Sequence, residues 1–132
     1  KAGVRDAFTP ATITPEIAIM EGRKQILDLH LSVELEQYIV NVVVATRDPA
    51  TVNKELDGQV MYGASPRACM GIDRAARARA WLQGRDYVDP EDIQNVAPDV
   101  LRHRLVMSFE AEADGITADS VIEGVLDGVG VP

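Results

Sequence analysis

The chain has 132 residues, 46% of them hydrophobic and 26% charged, with a net charge of −8. That is enough for one soluble domain with its own core, but the negative balance weighs against general binding to nucleic acid or anionic membranes, which needs a positive footprint. The single cysteine, Cys69, excludes an internal disulfide and fits a reducing compartment, the cytoplasm. No apolar run approaches the roughly 18–20 residues of a membrane-spanning helix.

Residues 1–13 contain Gly3, Pro10 and two threonines without a sustained period and read as a linker; no signal peptide opens the chain. Lys1 in first place suggests a fragment of a longer parent. Thr14-Pro15-Glu16 is a helix start, with an N-cap, a proline at N1 and an acid in the first turn. Ile17, Met20, Ile26 and Leu27 supply part of an apolar stripe, so the expected helix spans 14–28. Leu29-His30-Leu31 is a short extended connection.

Ser32 caps a second helix over 33–47, in which Leu35, Tyr38, Ile39, Val42 and Val43 recur at helical spacing. The run of valines also carries strand propensity. Length and the polar Glu34, Gln37 and Asn41 favour helix, and Asp48-Pro49 ends it. The connection 48–62 approaches the limit for a passive loop, so a helical turn or a contact with a neighbour is expected there.

Gly63-Ala64-Ser65-Pro66-Arg67 opens the longest helix, 66–83. Gly63 permits a turn that a Cβ would resist, Ser65 is an N-cap and Pro66 falls at N1. Gly84 is placed to stop the helix. A helical wheel puts Ala68, Ile72, Ala75, Ala76 and Leu82 on one side, and the many alanines suit a central helix approached closely by its neighbours. Arg67, Arg74, Arg77 and Arg85 form another side. Arg79 falls among apolar positions and calls for snorkelling or a buried carboxylate.

Tyr87 and Val88 should pack inward. Asp89-Pro90-Glu91-Asp92 resembles a capping box, and the helix it starts is expected to end at Pro98, followed by a short second piece over 99–104. Residues 104–108 and 29–31 are candidate short strands, 109–113 a helical turn stopped by Gly115, and 117–127 a last helix capped by Thr117. The fold class is therefore all-α, a small helical bundle with about four main helices and shorter helical pieces.

The chain has neither a phosphate loop nor a dinucleotide fingerprint. His30 and His103 have no Cys or second His at ligand spacing, so no metal site is expected. Ser65 and Cys69 have no evident base. What remains is the turn at 63–67. A cation at Arg67 is disfavoured by the helix dipole, which makes sense if the guanidinium and the free N–H groups face an anion. The same residues also make a well-capped helix with an exposed arginine. Arg102-His103-Arg104 reads as a complement to the negative end of its own helix or as a basic contact patch, and Trp81 and Tyr87 as core or interface anchors.

Several ordered motifs together resemble the C-terminal lid of MoxR-like AAA+ ATPases. They are Gly63-Ala64-Ser65-Pro66-Arg67-Ala68, Arg74-Ala75-Ala76-Arg77-Ala78, Gly84-Arg85-Asp86-Tyr87-Val88 with Pro90-Glu91-Asp92, and Val100-Leu101-Arg102-His103-Arg104-Leu105. Glu110-Ala111-Glu112-Ala113, the ending Val129-Gly130-Val131-Pro132, and the upstream Tyr38-Ile39-Val40 and Ala45-Thr46-Arg47 continue the likeness over about residues 14–132. The resemblance implies a helical lid over 14–132 beside a nucleotide-binding α/β domain that this chain does not contain. It implies ATP with magnesium as cofactor, held mainly by that domain. By position, Arg67 is the family's sensor-2 arginine, reaching the γ-phosphate and serving catalysis, with Ser65 and Pro66 near the nucleotide.

Family membership further implies a homo-oligomeric ring, ATP hydrolysis, and chaperone-like remodelling or maturation of client complexes, often beside partners with von Willebrand A domains. No nucleic-acid partner and no membrane span are expected. Two other readings stand beside this one: a DNA-binding module using the arginine-rich helix, and a helical protein-interaction scaffold with no nucleotide role.

Overall fold

The computed structural model describes residues 16–132. The expected linker over 1–13 and the Thr14-Pro15 helix start lie outside the described residues. Six helices and a two-stranded ribbon make up the described part, in accord with the all-α expectation.

Helix α1, Glu16–Leu27, precedes an extended Leu29-His30-Leu31 in which the two leucines are buried and His30 is exposed. The extended segment makes a single parallel bridge to the 84–89 connector: the His30 N–H donates to the Asp86 carbonyl at 3.1 Å, and the Val88 N–H to the His30 carbonyl at 2.9 Å. Helix α2, Val33–Arg47, has the bounds its spacing predicts, and the Ser32 hydroxyl accepts the Leu35 N–H at 3.2 Å. Leu35, Tyr38, Ile39, Val42, Val43, Ala45 and Thr46 are its buried residues, so helical periodicity prevails over the valines' strand propensity.

The connection after α2 holds two turns of 3₁₀ helix, Pro49–Thr51 and Lys54–Leu56, and then strand β1, Val60–Tyr62. Leu56 is buried, and the Asn53 side chain reaches the Gly124 carbonyl at 3.4 Å. Strand β1 pairs antiparallel with β2, Val106–Met107, with Val60 opposite Met107 and Tyr62 opposite Val106. The expected strand at 104–108 is thus present in shortened form. Its partner was not expected, because three residues are too few for an alternation to register.

Helix α3, Arg67–Leu82, lies centrally, in contact with α1, α2 and α4. Its buried row is Ala68, Ile72, Ala76 and Ala80, a strict i, i+4 ladder of mostly small side chains that lets α4 come close. Leu82, placed on the core side by the wheel, is 67% exposed; Ala80 takes that position. Gly84, at φ +78°, ends the helix in a Schellman arrangement. The Gly84 N–H bonds to the Trp81 carbonyl at 3.0 Å and the Arg85 N–H to the Ala80 carbonyl at 3.0 Å. Of the connector's two apolar residues Val88 is buried but Tyr87 is exposed, because its ring lies under the Arg85 guanidinium, 5.7 Å from the ring centroid.

Helix α4, Pro90–Leu101, is continuous through Pro98, where a break was expected. The proline removes one ladder bond, a cost of ~3 kcal/mol in an exposed helix. Here Ile93, Ala97 and Leu101 form an uninterrupted, fully buried row on either side of it, and that burial outweighs the local penalty. Short helix α5, Phe109–Ala113, is capped by Ser108, and α6, Ala118–Gly128, by Thr117. Val121, Ile122 and Val125 of α6 close the core against α2 and α4.

Candidate functional site

The 63–67 turn connects β1 to α3 and crosses the C-terminal end of α2 at very short range. A Cβ built on Gly63 would lie 2.5 Å from the Arg47 Cα, the Arg47 nitrogen and the Thr46 carbonyl oxygen. Gly63 has no positive φ, so close approach of two backbones, and not an unusual torsion, is why glycine stands here. The next residue, Ala64, is 1% exposed, and its N–H donates to the Thr46 hydroxyl at 3.0 Å. That hydroxyl donates in turn to the Val43 carbonyl at 2.6 Å.

Beyond Ala64 the chain emerges. Ser65, Pro66 and Arg67 are all exposed. The expected side-chain cap is not made: the Ser65 hydroxyl leaves the helix uncapped, and the Ser65 carbonyl instead accepts the Ala68 N–H at 2.9 Å. Pro66, at φ −56° and ψ −22°, has already turned in the helical sense, and its carbonyl accepts the Cys69 N–H at 3.0 Å. Two of the first-turn donors are therefore spent internally. An anion at this end would be met chiefly by the Arg67 side chain and not by a cradle of backbone N–H groups.

The arginines divide into two groups. Arg77 pairs with Asp73 at 2.5 Å and donates to the carbonyls of Leu27 and Leu29, which fastens α1 to α3. Arg79 pairs with Asp92 at 2.5 Å, so of the two readings its position left open, snorkelling or a buried carboxylate, the structure shows the second. Arg85 lies beyond the end of α3 and folds back to the same Asp92, with hydrogen bonds of 2.7 Å to both carboxylate oxygens. Arg67 and Arg74, by contrast, are exposed and make no ion pair or hydrogen bond among the described residues. They share a side of α3 with Met70, 58% exposed, and a shallow depression of about 190 Å³ lined by Leu27, Met70, Asp73, Arg74 and Arg77 opens beside them.

Asp92 is the electrostatic centre of the α3–α4 contact. Burial pushes its carboxyl up, but hydrogen bonds from Arg85, the Asp89 N–H and Arg79 together hold it below the ordinary carboxylate range. The Asp89 N–H to Asp92 bond, at 2.8 Å, is an arm of the expected capping box. Arg85 is correspondingly held in its charged form. Arg102 bonds to Asp99 at 3.1 Å and to Asp119 at 2.7 Å, joining the end of α4 to the start of α6. Cys69 is half-buried, and burial pushes its thiol up, away from the reactive thiolate form.

Sequence reasoning singled out Arg67, which the structure leaves exposed at the start of α3, but not Thr46. Its signal was a hydroxyl on the apolar row of α2, since Leu35, Ile39, Val42 and Thr46 follow one another at helical spacing and all four are buried.

The AAA lid domain family model matches residues 55–125. The chain is 50% identical over 99 residues to chaperone MoxR1 of Mycobacterium tuberculosis, covering 74% of this chain and 26% of that protein. It is 38% identical over 105 residues to protein MoxR of Methylorubrum extorquens, covering 74% and 30%. A crystal structure of a protein assigned as an ATPase, from Cytophaga hutchinsonii, superposes with a TM-score of 0.85 at 41% identity, covering 89% of this chain and 36% of that one. The chain thus spans about a quarter to a third of the length of these two curated relatives. With the family model matched over more than half of its residues, and with a bundle that superposes closely on a solved relative, the chain belongs to the AAA lid domain family and is a lid of the MoxR-like AAA+ ATPases.

Proposed function

We propose that this lid reports the state of a bound nucleotide through Arg67, the sensor-2 arginine, to a ring of ATPase subunits that remodels client complexes. AAA+ ATPases bind nucleotide, and this chain contains no phosphate loop. The phosphate cradle and the magnesium site therefore belong to a nucleotide-binding domain joined to the lid in the full-length protein. The observation that carries the reading is the contrast among the arginines. Arg77, Arg79 and Arg85 are consumed by internal carboxylates and carbonyls, while Arg67 and Arg74 keep their guanidiniums free among the described residues, and of these two Arg67 projects from a backbone turn fixed at its base.

ATP presents one more anionic phosphate than ADP, and a charge-assisted hydrogen bond to it is worth roughly 1.5–3 kcal/mol. A contact made with one nucleotide and not the other is what shifts a lid between two orientations. Ser65 and Pro66, exposed on the same turn, would lie near the nucleotide. Client maturation, ring formation and a von Willebrand A partner are part of this reading. The name of the Mycobacterium relative, a chaperone, and the family likeness support it.

The test is Arg67→Ala in the full-length ATPase. The expected outcome is retained folding by circular dichroism and a preference for ATP over ADP reduced by about ten- to a hundredfold, the range set by one lost charged hydrogen bond. Hydrolysis or nucleotide-dependent assembly should be impaired with it. Unchanged preference, turnover and assembly would remove Arg67 from the mechanism. A DNA-binding role has less to rest on, because two of the four arginines that would form its basic face, Arg77 and Arg85, are neutralised internally.

A further inference from the structure

The geometry points to Thr46 as the positioning residue of the sensor turn, a buried hydroxyl on one helix that fixes where the Arg67-bearing turn leaves the core. Three observations carry this. The Thr46 side chain is fully buried at the last turn of α2, on a row otherwise apolar. Its hydroxyl is used in both directions, donating to the Val43 carbonyl at 2.6 Å and accepting the N–H of Ala64 at 3.0 Å, a residue 18 positions later. Immediately before that N–H, Gly63 passes so close to Arg47 and Thr46 that no side chain fits, and the crossing leaves the Ala64 N–H no route to water.

Removing the hydroxyl would strand a buried donor, so the turn must move outward to hydrate it. Ala64 is three residues before Arg67, and the segment between has no side-chain anchor of its own, since the Ser65 hydroxyl makes no cap. A displacement of the Ala64 amide is therefore passed to the start of α3 and to the guanidinium. Small misplacements of a charged group are costly where contact depends on hydrogen-bond distance. Thr46 touches no nucleotide and acts only through Arg67. The assignment rests on the reading of Arg67 as the nucleotide-contacting arginine.

Two substitutions separate the hydroxyl from the side chain's bulk: Thr46→Val keeps the shape and loses both hydrogen bonds, whereas Thr46→Ser keeps the hydroxyl. In the full-length protein, amide hydrogen exchange is the readout independent of nucleotide. Thr46→Val should speed exchange at Ala64 by about tenfold or more relative to the α4 amides, and Thr46→Ser should restore protection. With nucleotide, Thr46→Val should lower the ATP-over-ADP preference by about tenfold, and Arg67→Ala combined with Thr46→Val should be no worse than Arg67→Ala alone. Should Thr46→Val fail to fold, Thr46→Cys, with a weaker acceptor, should give intermediate losses in both readouts.

Unchanged preference in Thr46→Val, alongside a large loss in Arg67→Ala, overturns the assignment and leaves the reading of Arg67 standing. Unchanged preference in Arg67→Ala overturns the nucleotide reading and the role assigned to Thr46 with it. Unchanged exchange at Ala64 in Thr46→Val shows that the turn is held elsewhere and overturns the assignment directly.

Discussion

Helices α1 and α4 are both twelve residues long, yet they stand at opposite ends of burial. Helix α4 has Ile93, Ala97 and Leu101 in one i, i+4 row, all fully buried, and its Asp92 is held by two arginines. Helix α1 buries no residue; Ile17 and Met20 are 73% and 65% exposed. The difference lies in spacing. The apolar residues of α1 cluster at 17–20 and 26–27 with a polar run between them, so no single face stays apolar for three turns. What holds α1 lies in its C-terminal half, where the Trp81 ring lies against Gly22, Trp81 donates to Gln25 at 3.1 Å and Arg77 to the Leu27 carbonyl at 3.1 Å. One helix belongs to the core, and the other is fastened to it at one end.

The comparison breaks most severely at Ile93. Ile93→Ala removes a fully buried branched side chain from the α4 row and should cost about 4 kcal/mol, read as a shift of the urea midpoint at constant slope. A loss below about 1 kcal/mol would mean that α4 is not the packing centre.

Next comes the ion-paired carboxylate. Asp92→Asn leaves the partly exposed Arg79 and Arg85 without their common anion and should cost about 2–3 kcal/mol. The folded-state pKa of Asp92 lies below its unfolded value. Its stabilising contribution is therefore complete above the ordinary carboxylate pKa of about 4 and is lost as pH falls through the depressed folded value. Thermal midpoints measured from pH 7 down to pH 2 should converge for the wild type and Asp92→Asn at the acid end. Parallel curves would show that the carboxylate adds nothing that titrates.

Much of this division was legible in the sequence. The α2 bounds, the Gly84 stop and the Asp89–Asp92 capping box all followed from local chemistry, because each depends on residues a few positions apart, whereas for Arg79 the sequence left snorkelling and a buried carboxylate open and the structure shows the second. Pro98 misled because a local penalty was judged without the buried row that overrides it. Tyr87 misled because its ring is claimed by Arg85 and not by the core. At the 63–67 turn, the exposed position of Arg67 followed from the local helix start, whereas the Thr46 to Ala64 bond spans 18 residues and has no local signature. The Ser65 cap was misjudged because the Ser65 carbonyl, not its hydroxyl, meets the first turn.

The smallest effect should fall on α1. Ile17→Ser and Met20→Ser remove apolar side chains already in contact with water, so the unfolding free energy of the chain studied by itself, from urea titration, should change by less than about 0.5 kcal/mol. Amide exchange should grade along the helix as well, fast near Ile17 and slower towards Gln25, where Trp81 and Arg77 hold it. A loss of more than about 1 kcal/mol from either serine would show that the N-terminal half of α1 packs as α4 does. The two helices would then differ only in degree, and attachment at one end would no longer describe α1.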